Sequence, residues 1–145
     1  MNKTSLTSYA NANNMRKWYL INAQDKTLGR LSTRVAHLLQ GKNKINYSPY
    51  LNTGDFVIII NAEKIKVSGN KKEKKFYFKH SGKPGSMKIE NFTQLQQRIP
   101  SRIIENSVKG MLPKNSLGKK MFKGLKIYSG IEHPHTAQHP KELNI

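Results

Sequence analysis

Five apolar residues in a row, Phe56-Val57-Ile58-Ile59-Ile60, stand between Gly54-Asp55 and Asn61-Ala62-Glu63. Successive side chains of a strand point to opposite faces, so an unbroken apolar run needs cover on both. A central strand under two layers of helix meets that need. A buried helix segment could carry a similar run, but this one is too short and too rich in isoleucine. Gly54 and Asp55 mark the turn in, with Asp55 in a turn-capping role, and Asn61-Ala62-Glu63 mark the way out.

The segments before this run complete a unit around it. Trp18-Tyr19-Leu20-Ile21 reads as a first strand, ended by Asn22-Ala23-Gln24-Asp25. Leu28, Leu31, Val35, Leu38 and Leu39 recur at helical spacing. Thr27 or Asp25 is placed to cap that helix, and Gly41 to end it. Strand, helix and central strand make a βαβ unit, for which a right-handed crossover is expected.

Beyond the run the pattern is shorter. Lys64-Ile65-Lys66-Val67 and Lys75-Phe76-Tyr77-Phe78-Lys79 flank Gly69-Asn70-Lys71-Lys72-Glu73-Lys74, which predicts a hairpin with lysines at its tip. Phe76 and Phe78, at alternate positions, are expected to fill core. His80 to Ser86 is a loop by its glycines and proline. Ile89, Phe92, Leu95 and Ile99 predict a helix stopped by Pro100. A second helix begins there, with Ile104, Val108 and Met111 as its buried stripe and Gly110 and Pro113 at its end. Leu117, Met121 and Leu125 predict one more short helix, Ile127-Tyr128 a last strand, and the segment from Gly130 a turn-rich tail. The Asn/Ser/Thr-rich residues 1–15 read as a flexible N-terminal arm, with a transit peptide as the sharper alternative. Residues 16–145 read as a single α/β domain with an extended C-terminal tail.

Charge restricts the function classes. The chain has 26 Lys+Arg against 8 Asp+Glu, a net +18. Such a field repels itself in the folded state and calls for an anionic partner, nucleic acid above all. No apolar run approaches the ~18 residues of a membrane span, and the absence of cysteine excludes disulfides and thiolate metal sites. No P-loop or dinucleotide-binding glycine pattern is present, nor a Gly-x-Ser-x-Gly elbow. No small-molecule substrate or cofactor is expected. A metal enzyme using His133, His135 and His139 is the alternative of a different class. Against it, Pro134 and Pro140 hold the path extended and keep those rings apart.

The cations lie on loops, helix flanks and the hairpin, apart from the apolar positions. Arg30 and Arg34, four apart, share a flank of the first helix. Lys42, Lys44, Tyr47 and Tyr50 share the next loop. Lys71, Lys72, Lys74, Lys75 and Lys79 surround Tyr77, Lys83 lies in the following loop, and Lys119, Lys120 and Lys123 ride the last helix. Cations interleaved with aromatics suit phosphate neutralisation together with stacking on unpaired bases.

Several strings carry a resemblance. They are Leu28-Gly29-Arg30-Leu31, Gly41-Lys42 with Tyr47-Ser48-Pro49, Gly54-Asp55 through Ala62, and His80-Ser81-Gly82 with Pro84-Gly85. Val108-Lys109-Gly110-Met111-Leu112-Pro113-Lys114-Asn115, Leu117-Gly118 and Tyr128-Ser129-Gly130-Ile131-Glu132-His133-Pro134-His135 continue them. In order from Lys17 to Pro140, the chain resembles the bacterial and organellar form of the large-ribosomal-subunit protein thirteen family. The resemblance implies a three-layer α/β/α fold, with a small, mainly parallel four-stranded sheet beside the basic hairpin. It also implies direct binding of large-subunit rRNA, early assembly, ribosomal-protein neighbours and no catalytic step. By resemblance Arg30, Lys42, Lys44, the loop at His80, Lys109, Lys114, His133 and His135 face RNA. Asn22 stands where the family usually has Asp, and Ser86 where it usually has Gly; residues before Met15 have no counterpart in these strings. An RNA-binding regulator working off the ribosome is a third reading. The excess of Lys over Arg, with abundant Asn and Ile, points to an AT-biased genome, with a plastid favoured over a bacterial cytoplasm.

Overall fold

The computed structural model describes residues 16–145; the arm expected over residues 1–15 lies outside them. The elements in chain order are β1 (Trp18–Asn22), α1 (Leu28–Gln40), β2 (Phe56–Ile60), α2 (Lys71–Lys74), β3 (Phe76–Lys79), β4 (Lys88–Asn91), α3 (Phe92–Arg98), α4 (Pro100–Met111), α5 (Ser116–Phe122), β5 (Leu125–Ile127) and β6 (Lys141–Glu142). The fold is α/β. A four-stranded sheet runs in the order β5-β2-β1-β6 with every pair parallel. A separate antiparallel hairpin joins β3 and β4.

The apolar run is β2, an interior strand, and both of its faces are used. Val57 and Ile59 align with Tyr19 and Ile21 of β1 and with Leu125 and Ile127 of β5. On that face they join one cluster with Leu31, Val35 and Leu39 of α1, Phe92 and Leu95 of α3, and Ile104 and Val108 of α4. Ile58 is also fully buried but points the other way, in line with Leu20. There Trp18 stacks on Phe56 with ring centroids 4.4 Å apart, and His135 from the C-terminal segment lies against Trp18. Both long helices belong to the first face.

Two glycines make the βαβ connection possible. Gly41 adopts φ +77 and ends α1, its N–H donating to Leu38 while that of Lys42 donates to His37. Gly54 lies so close to α1 that a Cβ there would sit 1.8 Å from the Leu39 carbonyl oxygen. The next residue, Asp55, donates its N–H back to Leu38. After β1, Asn22 accepts through Oδ1 from the Gln24 N–H and the Asn61 side chain, both at 3.0 Å. An amide oxygen accepts as a carboxylate would, so the turn keeps its contact with Asn in the place of Asp.

The hairpin exists, but with a different second strand. β3 pairs with Lys88–Asn91, not with the segment at 64–67, which makes only a parallel bridge from Lys66 to Thr27. The lysine-rich tip is instead a single helical turn, α2, closed by the Lys75 N–H donating to Lys71. The reversal falls in the 80–87 loop, where Gly82 and Gly85 take positive φ. Ile89 is therefore a strand residue opposite Phe78, and α3 starts only at Phe92 behind an Asn91–Gln94 capping box. Because the hairpin stands off the main sheet, Phe76 and Phe78 fill no core; they are 48% and 66% exposed. Leu125 opens β5 instead of closing α5, and the tail supplies β6, the fourth strand, beside β1.

Ile58→Asp places an unpaired charge between two covered faces and is expected to cost several kcal/mol, roughly 4 or more. Gly54→Ala is expected to cost a comparable amount by forcing β2 away from α1. Urea unfolding followed by circular dichroism checks both, and near-wild-type stability in either variant contradicts the packing described.

Candidate nucleic-acid interface

The cationic residues singled out in the sequence fall into two groups. Arg30, Arg34, Lys42, Tyr47, Lys71, Lys72, Lys74, Lys75, Lys79, His80, Lys83, Lys109, Lys114, Lys119, Lys120 and Lys123 are exposed. They occupy the outer side of α1, the loop after it, α2 with the hairpin, the end of α4 and the surface of α5. Lys44, His133 and His135 are only partly exposed, and each is engaged within the protein.

Lys44 pairs with Asp55, whose side chain is 5% exposed, and donates to the Thr53 carbonyl at 2.9 Å. Asp55 also accepts the Lys17 N–H at 2.9 Å. It thus joins the loop after α1 to the start of β1, a larger role than capping a turn. Nearby, Arg16 donates to the Asn52 carbonyl and lies 5.7 Å from the centre of the Phe56 ring. The Lys44 charge is thus matched inside the protein, where it holds the connection closed.

His135 is held by Tyr128, whose hydroxyl lies 2.8 Å from Nε2, and by the tilted ring of Trp18. The His135 N–H in turn donates to His133 Nδ1 at 3.3 Å. The His135 ring fixes the C-terminal segment against the sheet, and the His133 ring closes a local turn within that segment. Among the described residues no three His, Cys, Asp or Glu side chains come together as metal ligands, so the His133, His135 and His139 arrangement is not assembled. Among the same residues no helix is long and apolar enough to cross a membrane.

The hairpin gathers what sequence spacing left scattered. Its loop is tied internally: the Ser86 hydroxyl donates to the Lys83 carbonyl at 2.7 Å, and His80 Nδ1 accepts from the Gly82 N–H at 2.9 Å. Ser86 in the place of a glycine therefore adds a bond to that bend. Tyr77 is half-buried, burial raises its phenol pKa, and the Lys75 ammonium lies 5.4 Å from its ring centre. Phe76 and Phe78 present their rings to solvent, alternating along the chain with Lys75, Tyr77 and Lys79. Between the hairpin and the α3–α4 pair runs a cleft lined by Lys79, Lys88, Arg98, Arg102 and Lys109. Lys88, Arg98 and Arg102 were not among the residues expected from sequence. The seven-residue spacing of Arg102 and Lys109 along α4 was the available signal.

Carboxylates leave most of this charge unmatched. Among the described residues the ion pairs are Lys44–Asp55, Lys66–Asp25 and Arg98–Glu90. Lys66, hydrogen-bonded to Asp25, holds that exposed carboxyl below the usual aspartate range. The remaining exposed cations form a discontinuous positive surface around a neutral core, suited to polyanionic phosphates.

Known proteins resemble this chain over most of its length. The family described as ribosomal protein L13 matches residues 16–134. A relative named large ribosomal subunit protein uL13, from Synechococcus sp. (strain WH7803), is 57% identical over 145 residues, covering 100% of this chain and 95% of its own. The protein of the same name from Acaryochloris marina is likewise 57% identical with the same coverage. That from Trichormus variabilis is 61% identical over 130 residues, covering 90% of this chain and 86% of its own. The first two alignments span residues 1–15, which the family strings left without a counterpart.

Two lysines in one loop should separate by role. Lys44→Ala strands a buried carboxylate and is expected to cost about 2–4 kcal/mol, at or below the usual range because Lys44 itself is partly solvated. Lys42→Ala should stay within about 0.5 kcal/mol of the parent. Denaturant midpoints of the two variants decide the matter; equal losses would contradict the inward assignment of Lys44.

Proposed function

From the premise that the chain belongs to the ribosomal protein L13 family, we propose that it binds large-subunit rRNA directly and aids early assembly of the subunit. Its coarser role is that of a structural, non-enzymatic component of the large ribosomal subunit in translation. The single observation that carries the RNA reading is the separation of charge: sixteen of the nineteen side chains expected at RNA from sequence are exposed, around one buried apolar cluster. Residues 16–145 act as one RNA-binding unit whose rigid interior holds these side chains at fixed spacing. Phosphates meet Arg30, Arg34, Lys42 and the lysines of α2, the hairpin and α5. Unpaired bases meet Tyr47 and the exposed rings of β3. Neighbouring large-subunit proteins complete its surroundings. The setting is a ribosome of cyanobacterial type, in the plastid stroma by preference and otherwise in a bacterial cytoplasm; the cyanobacterial relatives support this.

Affinity for large-subunit rRNA fragments across a salt series tests the reading. Each neutralised phosphate contributes about −0.9 to the log–log slope on duplex and about −0.7 on single strands. Arg30→Ala and Lys42→Ala should each make the slope shallower by about 1 without shifting the unfolding midpoint. A flat salt response of the parent chain contradicts RNA binding; unfolding of the arginine variant contradicts the role of Arg30.

A further inference from the structure

The cleft between the hairpin and α3–α4 has a volume of about 500 Å³, room enough for part of a nucleotide chain. In the hairpin register Lys79 stands directly opposite Lys88. Both line the cleft. Like charges directly opposed in an antiparallel pair destabilise it. From the far wall come Arg98, Arg102 and Lys109, the last two on one side of α4. Glu90 is the one carboxylate lining the cleft, and Arg98 engages both of its oxygens at 2.7 Å. Five cations against one carboxylate leave a surplus of four positive charges. Among the described residues, Lys79, Lys88, Arg102 and Lys109 have no carboxylate within ion-pairing distance.

We propose that this cleft is a phosphate site that receives a stretch of RNA phosphodiester backbone. The non-bridging oxygens sit between Lys79 and Lys88 and are met by Arg102 and Lys109 from α4. The inference rests on the rRNA-binding reading and names one place where the backbone enters. Solubility alone gives no reason to oppose two lysines over a walled cleft, because that arrangement costs stability in the free protein. An anion between them turns the repulsion into attraction, and the Glu90–Arg98 pair removes the only negative charge that would compete. Asn106, also on the lining, adds an uncharged hydrogen-bonding group.

The test uses the full chain in an anion-poor zwitterionic buffer, with inorganic pyrophosphate as the probe. Lys88→Gln should raise the thermal midpoint of the free protein by about 1–3 °C, by removing the like-charge contact. Pyrophosphate should raise the wild-type midpoint and raise that of Lys88→Gln distinctly less. On a large-subunit rRNA fragment, the salt slope should become shallower by about 1 for Lys88→Gln and by about 2 for Lys88→Gln with Arg102→Gln. A Lys88→Gln chain that is less stable than wild type, or that keeps the full pyrophosphate response and salt slope, overturns the site. If the site fails in this way while wild type still binds the rRNA fragment with a steep salt slope, only the cleft assignment falls. A wild type that answers pyrophosphate but not rRNA overturns the RNA-binding function and, with it, RNA as the ligand.

Discussion

Burial of β2 on both faces is the constraint from which the rest of this structure follows. A strand of Phe, Val and three Ile has no side to offer water, so the chain must build cover twice. On one face it does so with α1, α3 and α4 around Val57 and Ile59. On the other, His135 of the C-terminal segment lies against Trp18. The close passage of Gly54 beneath Leu39 and the Asp55–Lys44 pair both serve to bring β2 into that position.

A neutral, closely packed interior gives the charge its use. A flexible basic chain can also neutralise phosphates, but it loses conformational freedom in doing so. Here Arg30 and Arg34 are carried on a helix whose opposite side is locked in the core, and the hairpin cations are set by strand register. The fold pays for order once, before any partner arrives. Repulsion among these cations is the standing cost, concentrated where Lys79 faces Lys88.

Lys44 and His135 show that a basic or aromatic side chain near exposed cations need not share their surroundings. The first neutralises a buried carboxylate and the second is bonded to Tyr128, so both hold the scaffold in shape. Conversely, Phe76 and Phe78 have the composition of a core strand yet stand in solvent. Exposure of such rings has a physical use only where something flat and apolar can cover them, as an unpaired base can.

The βαβ unit, the helix ends at Gly41 and Pro100, and the separation of charge from core were legible in the order of residues alone. These are matters of local periodicity, capping and sterics, each readable within a dozen residues. Long-range folding was needed to choose the partner of β3, to bring Lys141–Glu142 beside β1, and to set Lys88, Arg98 and Arg102 around one cleft with Lys79 and Lys109. Strand partnership is set by surfaces distant in sequence: 64–67, with Ile and Val, has the stronger strand composition, yet 88–91, with Glu and Asn, is the partner of β3. Lys44 was likewise indistinguishable from Lys42 until Asp55, eleven positions further along the chain, was folded back beside it.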